Sequence, residues 1–146
     1  MIKISTVCFI LFFALNSCKT GKSGNKVDNT ESKVEKVIID PQFSPKGKNT
    51  RMQILEVKEI SNEIIEISFN YSGGCKEHSF SLYSTGGLIK TLPPKINIYL
   101  VNHQQDDVCR ELLTIKKQFD ISPALSENNQ KTILIFNNRF EYTIEK

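Results

Sequence analysis

Two cysteines and two histidines carry most of the side-chain chemistry that this 146-residue chain offers beyond its first eighteen residues. They fall in two short stretches, Cys75 to His78 and His103 to Cys109, each holding one thiol and one imidazole. Two chemistries are open to that set. In an exported domain, two thiols with none left over most simply join as a disulfide, Cys75 to Cys109. Alternatively, Cys75, His78, His103 and Cys109 supply two thiolates and two imidazoles, a complete tetrahedral set for Zn²⁺ and soft enough for Cu(I). The Cys-x2-His half has a plausible chelate spacing, whereas His-x5-Cys is looser than usual for zinc.

Catalysis has less to work with. A Cys75 nucleophile with His103 as base can be drawn, but pairing with Cys109 would remove it. The sequence contains no G-x-S-x-G, H-E-x-x-H, C-x-x-C, P-loop or dinucleotide-binding glycine pattern. Asp106 and Asp107 read as solvated turn residues, with Glu77 a remote third oxygen donor for Ca²⁺. Gly73-Gly74 reads as a turn or bulge ahead of Cys75 rather than a phosphate cradle. No catalytic residue is therefore expected, and no cofactor beyond the alternative Zn or Cu.

The compartment follows from the N-terminus. Met1-Ile2-Lys3 is a short basic start, and Val7 to Leu15 is an apolar run too short to span a bilayer, which takes about 20 residues. It leads into Leu15-Asn16-Ser17-Cys18, which resembles the lipobox of bacterial lipoproteins. That resemblance implies cleavage before Cys18, diacylation of its sulfur and acylation of the new N-terminus. One acyl chain anchors only marginally, since each buried methylene contributes about 0.8 kcal/mol, but three chains together hold a protein on a membrane. Lys19, rather than an acidic residue, follows the Cys, and by the family's sorting rule points to the outer membrane. The pair of motifs G-G-C-x-x-H-x-F (Gly73 to Phe80) and H-x-x-x-D-x-C (His103 to Cys109) is similar to exported lipoproteins of unassigned function, which adds no site.

Three segments are expected: a signal peptide over 1–17, a lipidated Cys and flexible tether over 18–36, and a folded domain over 37–146. Between Lys19 and Lys36 only Val27 and Val34 are large and apolar, too little to order the segment. A coil of that length extends about 24 Å, enough to lift a domain off the headgroups. From Val37 onward 13 Lys and Arg balance 13 Asp and Glu, which gives no footprint for nucleic acid.

The remainder alternates with period two. Strands are expected over Met52–Glu59, Glu63–Tyr71, Ser79–Tyr83, Lys95–Val101, Leu112–Ile121, Thr132–Phe136 and Phe140–Ile144, with hairpin turns at Ser61-Asn62 and Asn137-Asn138. Gly86-Gly87 should end the third strand, and Ser122 to Gln130 has room for one helical turn. Tyr71, Tyr83, Tyr99 and Tyr142 alternate with aliphatics and belong to core or sheet face. The fold class is all-β: an antiparallel, immunoglobulin-like sandwich or a small barrel of about seven or eight strands. The functional expectation is a membrane-anchored envelope lipoprotein, a non-enzymatic binding or accessory module for a protein or glycan, of which inhibition of a hydrolase is one form. The alternative is a metal-binding lipoprotein using the Cys/His set.

Overall fold

Alternation along Ile64–Gly73 puts Ile65, Ile67 and Phe69 on one face, and all three are fully buried in the computed structural model, which describes residues 33–128 and 130–145. The described strands are β1 (Glu35–Lys36), β2 (Ile38–Ile39), β3 (Gln53–Ser61), β4 (Ile64–Gly73), β5 (Phe80–Ile89), β6 (Lys95–Asn102), β7 (Glu111–Asp120), β8 (Lys131–Phe136) and β9 (Phe140–Glu145). They form two sheets, β1-β7-β4-β3 and β2-β5-β6-β8-β9, facing each other as a sandwich rather than closing into a barrel. The apolar faces meet in one core, in which Phe69, Ile67 and Phe119 of the first sheet pack with Leu82, Ile98, Leu100 and Phe136 of the second.

The seven long strands fall where the period-two runs lie. The hairpins β3–β4, β5–β6 and β8–β9 are antiparallel, as is the β4–β7 ladder. Three other pairings are parallel: β1 with β7, β2 with β5, and β6 with β8. The sheets are thus mixed rather than wholly antiparallel. The cause is connectivity: the chain leaves β6, crosses to the other sheet as β7, and re-enters beside β6 running the same way. Asn137 and Asn138 both take positive φ in the β8–β9 turn, as expected, whereas in the β3–β4 turn the positive φ falls on Glu63. Gly86-Gly87 does not end β5. The strand runs on to Ile89, and the glycines sit within a register shift between Ser84 and Leu88, where Gly86 has φ +72°. Residues Ser122–Ala124 form a single 3-10 turn.

The outer face of the second sheet is covered too, so Tyr99 and Val101 are buried beside the inward Ile98 and Leu100, whose face Asn102 shares. Phe43, in the loop between β2 and β3, stacks on Tyr83 at 4.7 Å and lies 5.2 Å from Tyr99 between ring centroids. The sandwich also takes in Glu35 and Lys36, two residues ahead of the expected boundary, because the Val37 N–H donates to the Asp120 carbonyl at 2.9 Å. The signal peptide, Cys18 and most of the expected tether lie outside the described residues. Among the described residues no helix is long and apolar enough to cross a membrane.

Candidate functional site

The β4–β7 ladder ends at the rung Gly73–Glu111, and two more residues of the same register along each strand lead to Cys75 opposite Cys109. Their Cα atoms are 5.6 Å apart and the sulfurs are joined in a disulfide. That spacing is the one expected of directly opposed residues in an antiparallel pair. The bridge encloses the whole β5–β6 hairpin of the opposite sheet and fixes the β4–β5 and β6–β7 loops at one end of the sandwich.

Beneath it lies a residue that the sequence reading placed in solvent. The side chain of Asp107 is only 3% exposed. Its Oδ2 accepts hydrogen bonds from the backbone N–H groups of Gly74 (3.0 Å), Cys75 (3.1 Å) and Lys76 (3.0 Å), and from His78 Nε2 (2.9 Å). Oδ1 accepts the Cys109 N–H at 2.9 Å. Three successive amides converging on one oxygen make an anion nest, here filled by the protein's own carboxylate. The His78 hydrogen bond first, and the backbone donors after it, hold the Asp107 carboxyl far below the usual carboxylate range. Asp107 is buried because its charge replaces water as the acceptor for these loop amides. Asp106, next to it, is exposed as expected.

The two glycines make this approach possible. Gly74 adopts φ +119°, which opens the nest. At Gly73 a Cβ would lie 2.5 Å from His78 Nε2 and 3.1 Å from Asp107 Oδ2. Gly73→Ala should therefore push His78 off Asp107 and destabilise the fold by about 1–3 kcal/mol, the range for overpacking a filled site. Gly87→Ala, where the nearest atom is 3.7 Å away, is the control, and urea titration of both variants measures the difference.

His78 has both nitrogens engaged. A carboxylate can only accept, so Nε2 carries the hydrogen, while Nδ1 faces Asn102 Nδ2 at 2.8 Å and accepts from it. The His78–Asp107 bond resembles that of a catalytic dyad, but no nitrogen is left over to take a proton from a substrate. The imidazole lies 4.7 Å from the ring of Tyr71 and 6.2 Å from that of Phe80. Burial, with the charges of Asp107 and Glu111 behind it, pushes the Tyr71 hydroxyl up from its ordinary value.

The four-ligand Cys/His set is not assembled. His103 Nε2 is hydrogen-bonded to Ser81 at 3.1 Å, and its ring packs edge-on to Tyr83. Among the described residues, the cluster of metal-ligating type is Cys75, Asp107 and Cys109, in which both sulfurs belong to the disulfide. The physical reason is register: Cys75 and Cys109 face each other directly, and His103 leaves β6 on the Ser81 side. The Asp107 hub had one trace in the sequence, the Asp of H-x-x-x-D-x-C, two residues before the Cys.

The carboxylates also fix the acid limb of stability. Asp107 is lowered as above; Asp120 is lowered chiefly by the Ser122 hydroxyl and further by the Ser122 N–H, which donates to it at 2.9 Å, and Glu145 by Lys131. A depressed folded-state pKa stabilises the fold above the unfolded value and loses that contribution as pH falls through the folded one. The urea midpoint should stay level from neutral pH to about pH 5 and drop below about pH 4, the range of a free Asp. Asp107→Asn should flatten that drop more than Asp106→Asn.

Two depressions open at this end. One, of about 370 Å³, is lined by residues including Asn49, His78, Gln104, Gln105 and Arg110. The other, of about 540 Å³, is lined by residues including Lys48, Arg51, Tyr71 and Asn102. They share Asn49, Ser72 and Gln105, so they form one groove, floored by the end of β4 and walled by the loops before β3 and after β6.

No protein-family description matches the chain, and no curated protein does. Among solved structures, the chain is similar to a protein of unknown function, DUF1344, from Bacteroides vulgatus, with TM-score 0.54 and 16% identity over 79% of this chain and 56% of that one. It is also similar to a toxin-related protein from Parabacteroides distasonis, with TM-score 0.51 and 13% identity over 77% of this chain and 61% of that one. A NigD-like immunity protein from Bacteroides caccae follows at TM-score 0.47 and 10% identity, over 76% and 58% of the two chains. The first two share the β-sandwich, and this chain spans less than two thirds of the length of each.

Proposed function

We propose that the chain is a lipid-anchored protein of the cell envelope, held at the outer membrane through Cys18, whose sandwich binds a protein or glycan partner and performs no catalysis of its own. The observation that carries the binding reading is the place of the groove. It opens at the end where Cys75–Cys109 and the buried Asp107 lock the loops. Loops held rigid before contact lose little conformational entropy on binding, so the available contacts translate into affinity. The lipobox resemblance supplies the anchor and the polar segment after Cys18 the reach, which together raise the local concentration of the domain near envelope partners. The engaged nitrogens of His78 support binding over catalysis.

Two measurements test the two parts. Cells fed labelled palmitate should incorporate it into this protein and lose the label with Cys18→Ser; an unlabelled product with its leader uncut would remove the anchor. A photo-crosslinking residue at Gln105, in the groove, should give an envelope adduct. The same residue at Leu92, in the β5–β6 hairpin at the opposite end, should not. Equal adducts at both positions, or none at Gln105, would refute the binding end.

A further inference from the structure

Three cations line the groove: Lys48, Arg51 and Arg110. The ion pairs among the described residues use Lys36, Lys95, Lys116, Lys117 and Lys131, so none of the three is in a salt bridge with a described carboxylate. The acid in the lining is Asp107, whose oxygens are already committed to five donors. With three exposed cations against the carboxylate of Asp107, and Glu111 close enough to act on Tyr71, the lining is net positive in a domain that is neutral as a whole, and that balance draws anions to it.

The neutral part of the lining narrows the ligand further. Asn49, Gln104 and Gln105 bring carboxamides, each of which donates and accepts at once, as sugar hydroxyls do. No side-chain hydrogen bond within the protein is recorded for Gln104 or Gln105 among the described residues, so both amides are available. Large apolar side chains are few: Val108, 86% exposed, in one depression, and Met52, only 7% exposed, in the other, beside the ring of Tyr71. A peptide held by its apolar side chains would find little purchase there. A hydroxyl-rich chain bearing carboxylates meets both the cations and the amides.

We infer that this groove is a saccharide site that takes a carboxylated sugar, with Lys48, Arg51 and Arg110 meeting the carboxylate and Asn49, Gln104 and Gln105 meeting hydroxyls. It rests on the reading that the disulfide-clamped end is the binding end, and selects glycan over protein as its partner. Guanidinium groups favour carboxylates because their planar donor fork matches the two oxygens.

Calorimetry on the mature chain carrying Cys18→Ser tests this at low ionic strength. The probes are short oligogalacturonate, hyaluronan oligosaccharide and sialyllactose, with methyl-esterified oligogalacturonate and poly-L-glutamate as comparisons. At least one carboxylated sugar should bind one-to-one, weaken as salt rises, and lose roughly tenfold or more of its affinity in Arg51→Gln/Arg110→Gln. That double variant leaves the disulfide and Asp107 in place, and an unchanged melting temperature shows that it folds. The esterified sugar should not bind. Three results would each overturn the inference: no carboxylated sugar binding, the ester binding as well as the acid, or poly-L-glutamate matching the sugars. If the sugars fail while the Gln105 crosslink persists, the binding end stands and only its glycan assignment falls.

Discussion

Replacing Cys75 and Cys109 together with serine should lower the stability of the sandwich by about 4 kcal/mol, a loss of roughly 15–25 °C in melting temperature for a domain of this size. The estimate comes from the loop that the bridge closes. Cys75 and Cys109 are separated by 34 positions, and removing the cross-link restores to the unfolded chain the freedom of that whole loop. The folded state loses little contact, because the register of β4 and β7 already brings the two positions opposite each other. The loss should therefore be chiefly a gain in the unfolded state, and two observables separate that from damage to the fold. Protein reduced by a dithiol should melt with the double variant, and both should keep the far-ultraviolet spectrum of the oxidised protein below their transitions. An oxidised protein no more stable than the variant would show that the bridge contributes nothing. Since stabilities of single domains run from about 5 to 15 kcal/mol, the bridge accounts for a large share of what keeps this domain folded.

Phe80→Ala should cost about as much, 3–5 kcal/mol in order of magnitude, through the cavity it leaves. Phe80 is 1% exposed and lies where the core meets the site. Its ring is edge-on to Phe69 at 4.9 Å and to Tyr71 at 5.0 Å, and lies nearly parallel to the imidazole of His78 at 6.2 Å. Truncation removes core burial and the apolar support that holds His78 against Asp107. Phe140→Ala, at a half-buried ring 6.5 Å from Phe136, is the matched comparison and should cost clearly less. Because Phe80 underlies the groove, its truncation should also weaken ligand binding, whereas Phe140→Ala should leave binding alone. Equal stability losses in the two variants would show that the site is not built on the core in this way.

Period-two alternation located all seven long strands because each packs one face against the opposite sheet, a constraint that acts on every second residue and needs no knowledge of the partner. Ile65, Ile67 and Phe69 display it plainly. Pairing of Cys75 with Cys109 was legible for a different reason: beyond position 18 the sequence holds two thiols, which limits the choices. The two-residue strands β1 and β2 left no such trace, since Glu35-Lys36 and Ile38-Ile39 are extended only because β7 and β5 offer them free edges. Nor could Gly86-Gly87 reveal whether it ends a strand or bends one, as glycine permits both.

Asp107 and Asp106 show where local reasoning ends. They are adjacent, chemically identical and equally polar, yet one is buried under five hydrogen bonds and the other is exposed. What separates them is the arrival of Gly74 to Lys76 from more than thirty residues away, an event with no signature at positions 106 and 107. His103 illustrates the converse, since its closeness to Cys109 in sequence implied a shared site that the exit direction of β6 prevents.

Residue pattern alone was thus enough for the all-β class, the strand positions and the disulfide partners, because burial periodicity and covalent pairing are properties of residue type and order. Sheet membership, the parallel β6–β8 pairing, the burial of Asp107 and the cation-lined groove were decided only when distant segments met. Each of them depends on which backbone amides or side chains converge in space, and that is a property of the assembled sandwich rather than of any stretch of it.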